Sequence, residues 1–216
     1  MRLLKFAFLF CLSMLFAASY AQVAVKESDK RKAADVSDDK KFELAIGYND
    51  YVFSQPGEDT HWASYSLGGR GKIKEFDCSL PLSLEAGLFM YYFTENYNVE
   101  GYNDFDDHSL SMFSLGVPAN LVYEIPSSSD VLVAPYVGLS ARFNLWAEME
   151  LKDGEKVDLF NNKYGGNFET VQIGGQIGVR FAVRRVVIRA EIHTDFSNIG
   201  EKTKLWGVGT SIGYRF

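Results

Sequence analysis

The last eleven residues, Trp206-Gly-Val-Gly-Thr-Ser-Ile-Gly-Tyr-Arg-Phe216, constrain the fold more tightly than any other stretch. On a strand, successive side chains point to opposite faces. Trp206, Val208, Thr210, Ile212, Tyr214 and Phe216 therefore share one face, and Gly207, Gly209, Ser211, Gly213 and Arg215 share the other. A strand that is apolar and aromatic on one side, small or charged on the other, suits a wall between lipid and a polar interior.

The same two-residue period recurs upstream, and period-two alternation is the primary strand signal. Eight segments carry it: 42–54, 62–76, 82–94, 109–125, 131–147, 170–183, 185–196 and 204–216. In 42–54, Phe42, Leu44, Ile46 and Tyr48 alternate with Glu43, Ala45, Gly47 and Asn49. In 62–76, Tyr65, Leu67 and Ile73 oppose Ser64, Ser66, Arg70, Lys72 and Lys74. In 131–147, Val137, Leu139, Ala141, Phe143 and Leu145 oppose Tyr136, Ser140, Arg142 and Asn144. In 170–183 and 185–196, isoleucines and valines oppose Gln172, Gln176, Arg180, Arg189, Glu191, His193 and Asp195.

The connections alternate in length. Asp77–Pro81, Pro126–Asp130 and the Val183–Arg184 corner are short, whereas Gln55–His61, Glu95–His108, Glu148–Glu169 and Ser197–Thr203 are longer. Short turns after even strands put both ends of the sheet on one side, as in barrels with short periplasmic turns and longer outer loops. The expected fold is all-β, an eight-stranded antiparallel up-and-down transmembrane β-barrel over residues 42–216. Only a closed barrel satisfies strand backbones in lipid.

Residues 1–21 read as a cleaved signal peptide. Arg2 and Lys5 precede the uncharged apolar run Phe6–Phe16, and Ser19-Tyr20-Ala21 offers small residues before a cut at Gln22. That run is short of the ~20 apolar residues of a spanning helix. Residues 22–41 are polar and charged, too poor in apolar residues for a core, and read as a flexible leader. Cleavage removes two basic residues and no acidic one, so the mature chain is more acidic than the formal −6 of the full sequence. An acidic chain argues against nucleic acid as partner. Cys78 alone survives maturation, which excludes an internal disulfide and cysteine-based metal sites.

Two features add a family resemblance. Val117-Pro-Ala-Asn-Leu-Val-Tyr-Glu-Ile125, then a turn, then Ala134-Pro-Tyr-Val-Gly-Leu-Ser-Ala-Arg142, resembles the central hairpin of the outer-membrane β-barrel domain family common in Bacteroidetes. The Phe-terminated last strand resembles the terminal strand of bacterial outer-membrane barrels. The resemblance covers roughly residues 42–216 and implies a small barrel of the OmpX/OmpA kind in a Gram-negative outer membrane. It further implies outer-membrane lipid and the barrel-insertion machinery as partners, the latter reading Trp206, Val208, Thr210, Ile212, Tyr214 and Phe216. Many members have no assigned activity, so the resemblance implies fold and location more than biochemistry.

Eight strands enclose an interior that side chains nearly fill. The inward faces supply Arg70, Lys72, Lys74, Glu85, Arg142, Arg180, Arg189, Glu191, His193, Asp195 and Arg215. Unpaired, each buried charge costs several kcal/mol, so a network of opposite charges across the barrel is expected, with Glu191 and Asp195 among Arg180, Arg189 and Arg215. Such a network closes the lumen and favours a structural or surface-interaction role. A narrow solute pore with weak anion preference is the alternative. Tyr48, Tyr51, Tyr92, Tyr123, Trp62, Trp146 and Trp206 sit near strand ends and are expected at the lipid–headgroup boundary.

Other chemistry finds weaker support. Residues 95–108 carry five acidic residues and His108 but no Lys or Arg. Asp104-Phe-Asp-Asp-His108 lacks the spacing and central glycine of a calcium loop, and a solvated acidic loop is the simpler reading. Tyr97, Tyr102 and Phe105, beside Asp104, Asp106 and Asp107, make this loop the candidate for recognising a surface ligand of unspecified identity. Gly68-Gly-Arg-Gly71 lacks the Lys-Ser/Thr of a phosphate loop. A lipid-modifying hydrolase needs a histidine with a serine and a carboxylate. His61 has Ser64 and Ser66 nearby and His108 has Ser109 and Ser111, but neither spacing is a recognisable triad. No catalytic residue, cofactor or metal is expected.

Overall fold

Strands that alternate this regularly have one apolar face to hide, and here the sheet curls until its two edges meet. The computed structural model describes residues 42–55, 58–76, 80–97, 108–126, 131–151, 153–161, 168–200 and 203–216. The expected signal peptide and leader lie outside them. The strands are β1 (Phe42–Gln55), β2 (Glu58–Glu75), β3 (Leu82–Tyr97), β4 (His108–Tyr123), β5 (Ile125–Pro126), β6 (Val131–Glu150), β7 (Lys156–Asp158), β8 (Val171–Val183), β9 (Val186–Asp195) and β10 (Lys204–Arg215).

Eight of these are long and form the wall. Their order runs β4-β3-β2-β1-β10-β9-β8-β6, every described pairing is antiparallel, and β4 pairs with β6 to close the ring. Two-residue β5 and three-residue β7 are hairpin extensions on β6. The protein is thus an all-β, eight-stranded antiparallel closed barrel. Among the described residues no helix is long and apolar enough to cross a membrane.

The two ends of the barrel differ. Both chain ends of the sheet and the connections after β2, β4 and β8 lie at one end, called here the turn end. Phe76 N–H donates to Leu82 O at 3.0 Å across the first of these connections. The β8–β9 turn has only Arg184 and Arg185 between the paired Val183 and Val186. Arg184 adopts φ 55° there, a conformation more often given to Gly or Asn.

At the loop end, residues expected as connections extend β1–β4 and β6, and β7 forms within the expected loop Glu148–Glu169. The connection expected as a loop from Gln55 to His61 is a continuation of the β1–β2 ladder, paired as far as Gln55 with Glu58. The alternation fades there, so the sequence does not mark these residues as strand. After β6 the chain turns at Gly154 (φ 83°), where Gly154 N–H donates to Leu151 O at 2.8 Å. It then returns as β7.

Polarity is inverted relative to a water-soluble protein. Leu139, Ile188 and Ile212 on the outer face are 61%, 52% and 51% exposed, while Arg180 and Arg189 are fully buried. Ile46, Leu67, Leu88, Val137, Ile173 and Ile177 extend the same apolar outer band. The expected outer face of β10 is outside and the glycines with Arg215 are inside.

Two irregularities change faces locally. Between Lys72 and Lys74 the β2–β3 register shifts: Lys72 opposes Glu85 but Lys74 opposes Leu84. Lys74, expected inside, is therefore exposed, with its ammonium 5.5 Å from the Phe76 ring. A bulge places two residues against one and turns later side chains over. A second shift, opposite Phe113 and Ser114, leaves Leu145 and Trp146 both outside and turns Ala147 inward.

The outward band predicts a test of polarity. Leu139→Arg is expected to cost about 2–4 kcal/mol of folding free energy in vesicles if it lies near the bilayer midplane. Urea unfolding in lipid vesicles reads this directly. A near-zero effect is the result for a water-facing residue.

Candidate functional site: the closed lumen

At the turn end, β8 and β9 place Arg180 directly opposite Arg189. Two like charges at cross-strand distance repel unless a carboxylate separates them. Glu85, on β3 across the lumen from β9, does this: Arg180 Nη1 donates to its Oε1, and Arg189 Nη2 to its Oε2 at 3.1 Å. Arg189 also forks onto Glu43, Nε to Oε1 at 3.2 Å and Nη2 to Oε2 at 2.9 Å. Arg180 Nη2 donates to Glu124 Oε1 at 2.8 Å, and Lys72 Nζ lies 3.4 Å from the same oxygen. Arg70 and Arg215 stand further from Glu43, at 3.7 and 3.8 Å.

Midway along the lumen, Tyr136 on β6 donates its hydroxyl to Glu191 on β9. His193 Nε2 sits 3.3 Å from the other Glu191 oxygen. Gly178 lets the Tyr136 ring cross to that carboxylate, since a Cβ there would meet Tyr136 Oη and Ala190 O, each at 2.6 Å. Gln176 Nε2 donates to Asn120 Oδ1 at 2.6 Å.

Nearer the loop end, Arg142 donates to Gln172 Oε1 and to Asp195 Oδ2. Its guanidinium lies 5.4 Å from the Tyr51 ring centre and 5.3 Å from that of Phe93. Above it the lumen turns apolar. Tyr51, Phe53, Trp62, Phe93, Leu110 and Met112 from the wall pack with Leu159 and Ile199 from the connecting segments. Phe53 stacks on Trp62 with ring centres 4.3 Å apart, and Phe168 leans on both.

The sequence-expected residues divide as follows. Arg70, Lys72, Glu85, Arg142, Arg180, Arg189, Glu191, His193, Asp195 and Arg215 all point inward, but not in one cluster. Asp195 and Glu191 are not the carboxylates among Arg180, Arg189 and Arg215; Glu43, Glu85 and Glu124 are. Asp195 lies six residues along β9 from Arg189, about 20 Å at strand rise, and meets Arg142 instead. Glu43 and Glu124 were missed as network members, although the alternation already put Glu43 opposite Leu44. Tyr51 and Trp62, expected at the headgroup boundary, are each 2% exposed inside the apolar cap. Their inward neighbours Asn49 and Ser64 carry the parity that indicates this. Tyr48, Tyr92 and Trp146 are exposed outside.

The histidine–serine groupings do not converge on β2. His61 is on the outer face with Nδ1 3.2 Å from Asp50 Oδ2, whereas Ser64 is buried inside. Tyr102, Asp104, Phe105, Asp106 and Asp107 lie outside the described residues. Tyr97 ends β3. No group of metal-ligating side chains occurs among the described residues.

No protein-family model matches the chain, and no curated protein matches it. Among solved structures it is similar to Neisserial surface protein A, with 14% identity over 81% of this chain and 97% of that one, TM-score 0.58. It is also similar to Ail, the attachment invasion locus protein of Yersinia pestis, solved with the heparin analogue sucrose octasulfate. There the identity is 15% over 82% of this chain and 99% of that one, TM-score 0.50. At these identities the likeness shows the fold, that of small outer-membrane eight-stranded barrels.

Two substitutions test the lumen. Glu85→Gln leaves Arg180 and Arg189 facing each other without their shared carboxylate. It is expected to cost about 3–5 kcal/mol in urea unfolding, the range for breaking a buried pair. Exposed Glu150→Gln should stay within about 1 kcal/mol of the native chain. Gly178→Ala should cost about 1–3 kcal/mol by the same measurement, because the ring or the strand must shift to admit a methyl.

Proposed function

We propose that this chain is an integral outer-membrane barrel of the Bacteroidetes-type family, exported with residues 1–21 removed, and that it serves a structural or surface-interaction role without catalysis. The observation that carries this reading is an apolar outer band around a lumen spanned by buried arginines and capped by packed aromatics. A side chain that crosses the lumen and is held at both ends by hydrogen bonds leaves no wide path for solute. A barrel that neither conducts nor catalyses has its loop end and its lipid contacts with which to act.

Surface contact is the favoured role for the loop end. Ail is recorded with a polysulfated ligand, but residues 95–108 here carry no Lys or Arg. Like charges repel, so a cationic or polar partner suits this chain better than a sulfated one. Tyr97, Tyr102 and Phe105 would supply the apolar contact. Strand β10, with Val208, Ile212 and Tyr214 on its outer face, is the segment offered to the barrel-insertion machinery.

Two measurements test the proposal. The mature chain should fractionate with the outer membrane and migrate on gels as a faster band unheated than boiled. Purified protein in planar bilayers should give no steady discrete openings. Recovery in the soluble periplasmic fraction rules out the membrane reading, and regular single-channel steps establish the narrow-pore alternative.

A further inference from the structure

The turn-end mouth holds a narrow recess lined by Glu43, Arg70, Lys72, Glu85 and Arg215, with Phe42 completing the wall. Its two carboxylates are already engaged deeper in the lumen. Both Glu43 oxygens accept from Arg189, and the two Glu85 oxygens accept from Arg180 and Arg189. Of the cations nearer the mouth, Lys72 donates to Glu75 Oε1 at 2.6 Å, whereas Arg70 and Arg215 are left with long contacts. Arg70 is 5% exposed, yet its Nε and Nη1 have no hydrogen-bond acceptor. Its nearest carboxylate oxygen in an ion pair is 3.7 Å away, beyond a normal N–H···O distance. The guanidinium is held in place at 4.5 Å from the Phe89 ring centre. Arg215 has Glu43 and Glu85 at 3.8 and 3.9 Å.

A buried guanidinium with two unanswered N–H groups is an anomaly that asks for an acceptor. Arginine's planar fork matches the paired oxygens of a carboxylate or a phosphate. We propose that this recess is a binding site for a small oxyanion group, a carboxylate or phosphate, taken by Arg70 and Arg215 with Lys72 at the side. Three sources share that chemistry. One is free phosphate. Another is the phosphate of a phospholipid headgroup at the rim. The third is the chain's own leader, which joins the barrel at Phe42 and carries Asp35, Asp38 and Asp39. This proposal goes beyond the functional reading above and holds whether or not the loop end binds a partner.

The test uses the full mature chain, labelled with ¹⁵N-arginine and folded in a nonionic detergent. Sodium phosphate is titrated against sodium chloride at matched ionic strength. A saturable shift of the Arg70 Nε–H resonance is expected, with a rise in melting midpoint that Arg70→Gln abolishes. The triple variant Asp35→Asn, Asp38→Asn, Asp39→Asn and a phospholipid bilayer separate the sources. A response seen only in the triple variant identifies the leader's carboxylates as occupants. A response in detergent that vanishes in phospholipid bilayers identifies the lipid headgroup. A response in both media identifies the free ion. Absence of any saturable response beyond chloride, in native chain and triple variant alike, overturns the proposal. So does an equal response from folded Arg70→Gln. If that variant does not fold, the resonance of the native chain decides.

Discussion

Arg180 and Arg189 face each other across two neighbouring strands, and the barrel is arranged around keeping them there. Their shared acceptor, Glu85, comes from β3 on the far side of the lumen. An ionic contact of that kind ties distant walls together, which a sheet ladder alone does not do. Ionised groups out of water are costly unless their hydrogen bonds are met. Glu43 and Glu124 therefore follow as necessary partners, and the lumen at this level admits little else. Small residues on the facing strands, such as Gly178 beside Tyr136, leave the room these long side chains need.

Along its axis the interior changes character. Ion pairs hold the turn end, amides and a tyrosine–glutamate contact hold the middle, and aromatic and aliphatic side chains close the loop end. The last layer is assembled partly from segments outside the wall, since Leu159, Phe168 and Ile199 pack onto Trp62 and Phe53. Those residues carry the connecting segments down onto the barrel. The interior therefore has a soluble protein's apolar core in its upper part, though its outer surface is that of a membrane protein. The two solvents meet one wall from opposite sides, and each strand's alternation answers both.

How far the site was legible depended on which property of a residue was asked for. Inward or outward followed from parity for Arg142, Arg180, Arg189 and Arg215, because the side-chain period of a strand is two. Parity also places Tyr51 with Asn49 and Trp62 with Ser64, so their inward position is in the sequence; proximity to a strand end suggested the boundary instead. Lys74 is different. Its face depends on the bulge after Lys72, and a run of Lys-Ile-Lys alternates as well with the extra residue as without it. The strand at Glu58–His61 was hidden because its pairing with β1 is backbone ladder without an alternating apolar signal.

The sequence by itself determined that there are eight long strands, that they are antiparallel neighbours closing on themselves, and which side of each faces away from lipid. These follow from local rules: the pleat, the lengths of connections, and the need of every backbone group for a partner. Tertiary structure alone decided which charge meets which. Depth along the lumen is set by strand tilt and stagger, properties of the closed ring rather than of any segment. Glu191 and Asp195 share a strand with Arg189 yet sit at other levels, while Glu85, more than a hundred residues earlier, lies at the same one.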